Sequence, residues 1–169
     1  MGPGVRSAVI VPTYNERENI VALVEQLAAL EVVTHVIVVD DASPDGTGDV
    51  ADELARRQPK LDVVHRSGKL GLGTAYVAGM RRALALGAER ILTMDADFSH
   101  HPRYVPALVA LAGERDLTIG SRYVPGGGTS QWGLARQVLS RGANLVARVA
   151  LGLEARDCTA GFRCYRREL

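Results

Sequence analysis

Cysteine is scarce. Cys158 and Cys164 are the only two in 169 residues, and their spacing matches neither a zinc site nor a redox motif. A reduced, intracellular setting with two inert thiols is expected. Net charge is also small, +1 at neutral pH, so no global basic field calls for a nucleic-acid partner. No apolar run approaches the roughly 18 residues that a membrane span requires. The N-terminal run is broken by Pro12 and preceded by one basic residue, which reads as a first strand rather than a signal peptide. Internal repeats, low-complexity tracts and interdomain linkers are missing too. A single domain with a proper core is expected, without a bilayer-crossing segment of its own.

What remains is ordinary for a soluble globular chain, 47% apolar and 23% charged. Eighteen glycines are partly clustered, as in functional loops. Short β-branched runs alternate with helical periodicity. "SAVIVP", "HVIVVDD", "LDVVHR", "RILTMDAD" and "DLTIGSRY" read as five strands. "ENIVALVEQLAAL", "DVADELARRQ", "GTAYVAGMRRALALG" and "RYVPALVALAG" read as the helices between them, the third closed by Gly87. A further helix is predicted from Leu134 to Leu153, after the glycine-rich loop "VPGGGTSQWG". The last residues, "DCTAGFRCYRREL", read as strand passing into helix, and a chain that continues further is expected.

Strands without polar alternation, separated by helices, predict an α/β fold with a mainly parallel sheet covered on both faces. Ligands of such sheets bind beyond the carboxyl ends of the strands. "PTYNE", "DDASPDGT", "DADFSHHP" and "SRYVPGGG" all fall at those ends.

Asp95 and Asp97 stand one residue apart at the predicted end of the fourth strand, where side chains two apart share a face unless the strand end bends. At about 6 Å and an effective dielectric of about 20, two carboxylates repel by about 3 kcal/mol. A divalent cation removes that repulsion. Hard oxygen ligands favour Mg2+ or Mn2+, completed by substrate phosphates and water. His100 and His101 are read as shaping the turn before Pro102 rather than as ligands.

Asp41 ends the second strand, where a carboxylate accepts hydrogen bonds from a nucleobase or ribose, whereas Asp45 or Thr47 caps the next helix. "GKLGLGTAY" fails both phosphate-loop patterns. Lys69 precedes the main glycines, and Tyr76 stands where the third glycine of G-x-G-x-x-G belongs. The stretch is read as a tight turn and close packing at a helix start. Arg122 follows the fifth strand and suits phosphate recognition. Arg136 and Ser140, four apart, share a helical face that offers either a second anion site or a solvated surface.

Seven motifs in order, "VPTYNERENI", "VVDDASPDGTG", "GLGTAYVAG", "MDADFSHHP", "IGSRYVPGG", "SRGAN" and "D-x-T-x-GFRCYRRE", resemble the family 2 glycosyltransferases of GT-A fold. Within these, the chain is most similar to the dolichol-phosphate (polyprenyl-phosphate) mannose synthases. The resemblance implies inverting transfer of mannose from GDP-mannose to a polyprenyl or dolichyl monophosphate. It implies donor contacts from Pro12, Tyr14, Glu16, Val39, Asp41, Asp95, Ala96 and Asp97, and a metal, Mg2+ or Mn2+, at Asp95 and Asp97. Ser99 falls where some relatives place a glutamine ligand, and a serine there would hold the metal through water. Arg122, Arg136 and Ser140 match positions that hold the acceptor phosphate, with Asp95, Asp97 and Arg122 carrying catalysis. Asp157 is read as a positioning residue rather than a base.

The resemblance also implies one catalytic domain over residues 1–169 with further helix and strand beyond it, and peripheral attachment at the cytoplasmic face of a membrane. The Leu134–Leu153 helix, apolar on one face with arginines on another, either packs on the domain or lies at the membrane surface. Three other readings stay open: a UDP-glucose-dependent polyprenyl-phosphate glucosyltransferase, a nucleotidyltransferase, and a non-catalytic sugar-nucleotide binding module.

Overall fold

The computed structural model describes residues 5–113, 115–124 and 157–169. Along the chain run β1 (Ser7–Thr13), α1 (Arg17–Ala28), β2 (His35–Asp40), α2 (Thr47–Ala55), β3 (Leu61–His65), α3 (Leu72–Ala85) and β4 (Arg90–Thr93). A 3-10 turn (Pro102–Tyr104), α4 (Val105–Leu111), β5 (Leu117–Ile119) and β6 (Arg163–Arg166) follow among the described residues. The predicted Leu134–Leu153 helix, with Arg136 and Ser140, lies outside the described residues.

The six strands form one sheet in the order β3-β2-β1-β4-β6-β5. β1 pairs in parallel with β2 and β4, and β2 with β3. β6 is antiparallel to both of its neighbours, Cys164 lying opposite Leu92 on one side and Thr118 on the other. The sheet is thus mainly parallel, as expected, with a reversed strand inserted before its last member. The terminal residues turn after β6, at Arg167 and Glu168, where a helix was expected.

Alternation along β1 sorts the core into two layers. Val9 and Val11 pack with Ile20, Leu23 and Val24 of α1, with Ala51 and Leu54 of α2, and with Val105 and Leu108 of α4. Ala8 and Ile10 pack on the opposite face with Ala75 and Ala83 of α3. α3 lies very close to the sheet because its inner stripe is small. A Cβ added at Gly79 would fall 2.4 Å from Ile10 Cγ2. Gly87, at φ +77°, ends α3 in the left-handed region as its sequence position implied.

The same sheet edge receives the loops after β1, β2, β3 and β4. Among the described residues three non-glycine residues have positive φ, Asn15 (62°), Ala42 (54°) and Phe98 (57°). All three sit in these loops, where strained backbone commonly accompanies a working site.

Candidate active site

The β1 and β2 loops are tied to each other. Glu16 N donates to Thr47 Oγ1 at 3.0 Å, Asn15 N to Ser43 Oγ at 3.1 Å and Arg17 N to Asp45 Oδ2 at 3.2 Å. Asp45 also accepts from Thr47 N at 2.9 Å and Thr47 Oγ1 at 2.6 Å, so one carboxylate satisfies orphan donors at the starts of α1 and α2. Desolvation pushes its carboxyl up, but these bonds together bring it below the usual range. Asp45 therefore serves the backbone, as the sequence implied. Asp40 is likewise internal, accepting from Thr13 Oγ1 at 3.2 Å, Ser43 Oγ at 2.5 Å and Ser43 N at 3.1 Å.

Pro12, Tyr14 and Asp41 come together in a cleft of about 130 Å³, joined there by Lys69, Leu72 and Ala75. Lys69 Nζ stands 4.1 Å from the centre of the Tyr14 ring, a cation–π contact. Asp41 has a partner that sequence reasoning missed. Arg66, just past β3, donates from Nη1 to Asp41 Oδ1 at 2.7 Å, with the two side chains only 8% and 9% exposed. Its other amino group reaches Thr74 Oγ1 at 2.6 Å, so the arginine also anchors the start of α3. The basic pair in "HRSGK", placed at the end of a strand, was the available signal for Arg66 and Lys69. Of the other predicted donor contacts, Val39 is fully buried, and Glu16 ends the β1 loop with its carboxylate accepting from Asn19 Nδ2 at 2.8 Å.

At the carboxylate pair the chain leaves the strand early. β4 ends at Thr93 and the chain bends from Ala96, so Asp95 and Asp97 both lie beyond the strand and strand alternation does not set their directions. Buried Ala96 separates them. Asp95 Oδ1 accepts from the Tyr76 hydroxyl at 3.0 Å, and Oδ2 lies 3.8 Å from His100 Nε2. Burial, then the charge of Asp95, raises the Tyr76 phenol above its ordinary range, so it stays a donor. Exposed Asp97 accepts from Ser99 N at 2.9 Å. Partial burial pushes its carboxyl up, but hydrogen bonds from Ser99 and the neighbouring His100 bring it below the usual value.

Both histidines make packing or turn contacts. His100 stacks on Phe162, ring centres 5.2 Å apart, and burial lowers its pKa against the pull of Asp95 and Asp97. His101 Nδ1 accepts from Arg103 N at 3.2 Å and so opens the Pro102 turn. Among the described residues no three histidine, cysteine, aspartate or glutamate side chains form a metal cage. Two carboxylates and a hydroxyl nearby, Asp95, Asp97 and Ser99, remain a hard-oxygen donor set of the kind that suits Mg2+ or Mn2+ sharing substrate phosphates.

Arg122 does not stand alone after β5. Its Nε and Nη2 meet Asp157 Oδ2 and Oδ1 at 2.8 and 2.7 Å, and Nη2 also reaches Thr159 Oγ1 at 2.7 Å. Asp157 is fully buried. Burial pushes its carboxyl up, but the Arg122 bonds prevail and hold it below the usual range. A carboxylate so engaged is a poor base and a good orienting group. The loop bearing it is latched by Arg163, whose Nε and Nη2 donate to the Ala160 and Cys158 carbonyls at 2.7 and 2.6 Å. Cys164, beyond it, is buried, and its thiol is pushed up to about 11, the unreactive state expected of it.

A family model described as glycosyl transferase family 2 matches residues 8–169. The polyprenol monophosphomannose synthase of Mycolicibacterium smegmatis is 48% identical over 169 residues, covering 99% of this chain and 64% of that protein. The undecaprenyl-phosphate mannosyltransferase of Micrococcus luteus is 46% identical over 162 residues, covering 96% of this chain and 67% of that protein. The chain thus spans about two thirds of the length of these relatives. Among solved structures, glucosyl-3-phosphoglycerate synthase of Mycobacterium tuberculosis, with Mn2+, UDP-glucose and phosphoglyceric acid, superposes with a TM-score of 0.67 at 27% identity, over 98% of this chain and 58% of that one. A mannosyltransferase of Pyrobaculum calidifontis, solved with GDP-Man and Mn2+, gives 0.66 at 20% identity, over 99% and 46%. The fold is the GT-A fold anticipated from the motifs.

Proposed function

The chain belongs to glycosyl transferase family 2, and from that premise we propose that residues 1–169 form the catalytic domain of an inverting enzyme passing mannose from GDP-mannose to a polyprenyl monophosphate. The observation that carries this reading is the junction of cleft and carboxylates on one helix. Ala75 lines the cleft, and the next residue, Tyr76, reaches Asp95. A nucleotide lying against Pro12, Tyr14 and Asp41 would thus direct its diphosphate toward Asp95 and Asp97. The names of the two curated relatives support mannose as the sugar and a polyprenyl phosphate as the acceptor.

In the reaction, an acceptor phosphate oxygen forms a bond to the anomeric carbon as the bond to the donor's β-phosphate breaks, and GDP leaves. Negative charge grows on the departing diphosphate. A divalent cation, Mg2+ or Mn2+, held by Asp95 and Asp97 and through water by Ser99, would supply Lewis-acid stabilisation of that charge. The acceptor is a phosphate monoester, largely ionised near neutral pH. It needs positioning and screening rather than deprotonation. Arg122 would serve there, held in place by Asp157, together with Arg136 and Ser140. Asp41, held by Arg66, would accept hydrogen bonds from the nucleotide's base or ribose.

No helix among the described residues is long and apolar enough to cross a membrane. A lipid acceptor brings the enzyme to a membrane surface, and we assign it peripheral contact at the cytoplasmic face. The test is transfer of labelled sugar to a short polyprenyl phosphate by the full-length protein, with GDP-mannose and UDP-glucose offered side by side. Mannosyl lipid formed from GDP-mannose is the expected product. Glucosyl lipid from UDP-glucose would favour the second reading, which the UDP-glucose complex of the mycobacterial neighbour keeps in view.

A further inference from the structure

We propose that Tyr76 is the positioning residue of Asp95, its hydroxyl fixing one carboxylate oxygen so that the other is presented to a divalent cation. The inference rests on the reading of Asp95 and Asp97 as a metal site. Tyr76 is the residue that spoiled the G-x-G-x-x-G pattern, standing where its third glycine belongs. That position lies in the second turn of α3, on the side that faces the end of β4.

Asp95 lies two residues past the end of β4, just before the chain bends at Ala96, and its side chain is 38% exposed. No strand ladder orients it. A carboxylate in that setting rotates unless something holds it. The Tyr76 hydroxyl donates to Oδ1 at 3.0 Å, leaving Oδ2 on the far side of the group, toward His100. The loop before β6 closes the cradle. A Cβ added at Gly161 would fall 3.2 and 3.3 Å from the two Asp95 oxygens and 3.4 Å from the Tyr76 hydroxyl. Gly161 is itself held, because Thr93 Oγ1 donates to its carbonyl at 2.6 Å. Helix, strand end and loop therefore meet at one carboxylate, which has a hydrogen-bond tether on one oxygen and side-chain-free backbone beside both. Outer hydrogen bonds of this kind orient metal ligands, and losing one typically costs about 10- to 100-fold in metal affinity.

The test is Mn2+ titration of the full-length protein with GDP present, read by the loss of the free Mn2+ signal in electron paramagnetic resonance. Tyr76→Phe, Gly161→Ala and Asp95→Asn are compared with the unaltered chain. Tyr76→Phe is expected to weaken Mn2+ about tenfold, with GDP affinity in chelator and thermal midpoint unchanged. Gly161→Ala, crowding the same carboxylate from the other side, is expected to weaken Mn2+ as well, and it carries the test if Tyr76→Phe does not fold. Undiminished Mn2+ affinity in Tyr76→Phe alongside a loss in Asp95→Asn overturns the positioning role and leaves the metal site standing. Undiminished affinity in Asp95→Asn overturns the metal site itself.

Discussion

Arg122 grips Asp157 with two parallel hydrogen bonds, Nε to Oδ2 at 2.8 Å and Nη2 to Oδ1 at 2.7 Å, and its own backbone N–H adds a third to Oδ2 at 3.0 Å. The bond to the main chain matters as much as the fork, because it fixes where the arginine emerges as well as where its head lies. The carboxylate is fully buried, so the pair is a rigid mount rather than a surface contact.

Removing the charge from this mount should therefore be costly and pH-dependent. The folded pKa of Asp157 lies below its ordinary value. The stability it contributes is present above the unfolded pKa near 4 and is lost as pH falls through the lower, folded value. Asp157→Asn should lose about 3 kcal/mol at neutral pH, the usual cost of leaving one member of a buried pair unpartnered. The gap from the unaltered chain should narrow below about pH 4. Urea unfolding at several pH values measures both.

The buried pair of Arg66 and Asp41 makes a second case. Arg66→Met leaves Asp41 without its 2.7 Å partner and Thr74 without its 2.6 Å donor. A loss of about 3 kcal/mol is expected in chemical denaturation. Nucleotide affinity, followed by titration calorimetry with GDP, should fall as well, since Asp41 lines the cleft.

Close packing of α3 on the sheet is testable at Gly79. An alanine there places its Cβ 2.4 Å from Ile10 Cγ2 and 3.2 Å from Val39 Cγ2. Overpacking of this kind costs about 1–3 kcal/mol. Gly79→Ala should lower the thermal midpoint by several degrees, measured by circular dichroism.

Ala42 offers the opposite sign. Its φ of 54° is unfavourable for a residue with a Cβ. Ala42→Gly should raise stability by up to about 1 kcal/mol, the relief of strain exceeding the entropy that glycine loses on folding. Equilibrium unfolding at neutral pH reads the difference.

The carboxylates supply the functional control. Asp97→Ala should abolish metal-dependent sugar transfer, a drop of about 100-fold or more, while leaving the thermal midpoint nearly unmoved because Asp97 is exposed. A labelled-sugar assay with and without chelator measures it.

Much of this arrangement was legible in the sequence, for definite reasons. Apolar runs such as "HVIVVD" mark strands covered on both faces, and strand polarity then assigns Tyr14, Asp41 and Asp95 to one edge. Other relations depend on residues far apart in the chain. Leu92 pairs with Cys164, and Thr118 pairs with the same residue from the other side. No local pattern announces a reversed strand between them. Asp41 with Arg66, Asp95 with Tyr76 and Arg122 with Asp157 are likewise long-range pairs, and Asp41, Asp95 and Arg122 taken alone each looked like a ligand contact. The alternation that aligned Asp95 and Asp97 failed because the strand stops at Thr93, two residues before the first of them.

The late arrival of β6 has a consequence for biogenesis. While the chain is being synthesised, β1 to β4 can assemble by local parallel crossovers, but among the described strands β5 has no neighbour in the sheet until Arg163–Arg166 is made. Until then β4 presents an open edge, the kind of surface on which nascent chains stick to one another. Asp157 and Gly161 emerge just ahead of the same strand, so Arg122 has no mount and Asp95 no wall before that moment. An unfinished polypeptide therefore carries the carboxylates without the framework that aims them, and closing the sheet and completing the site become one event.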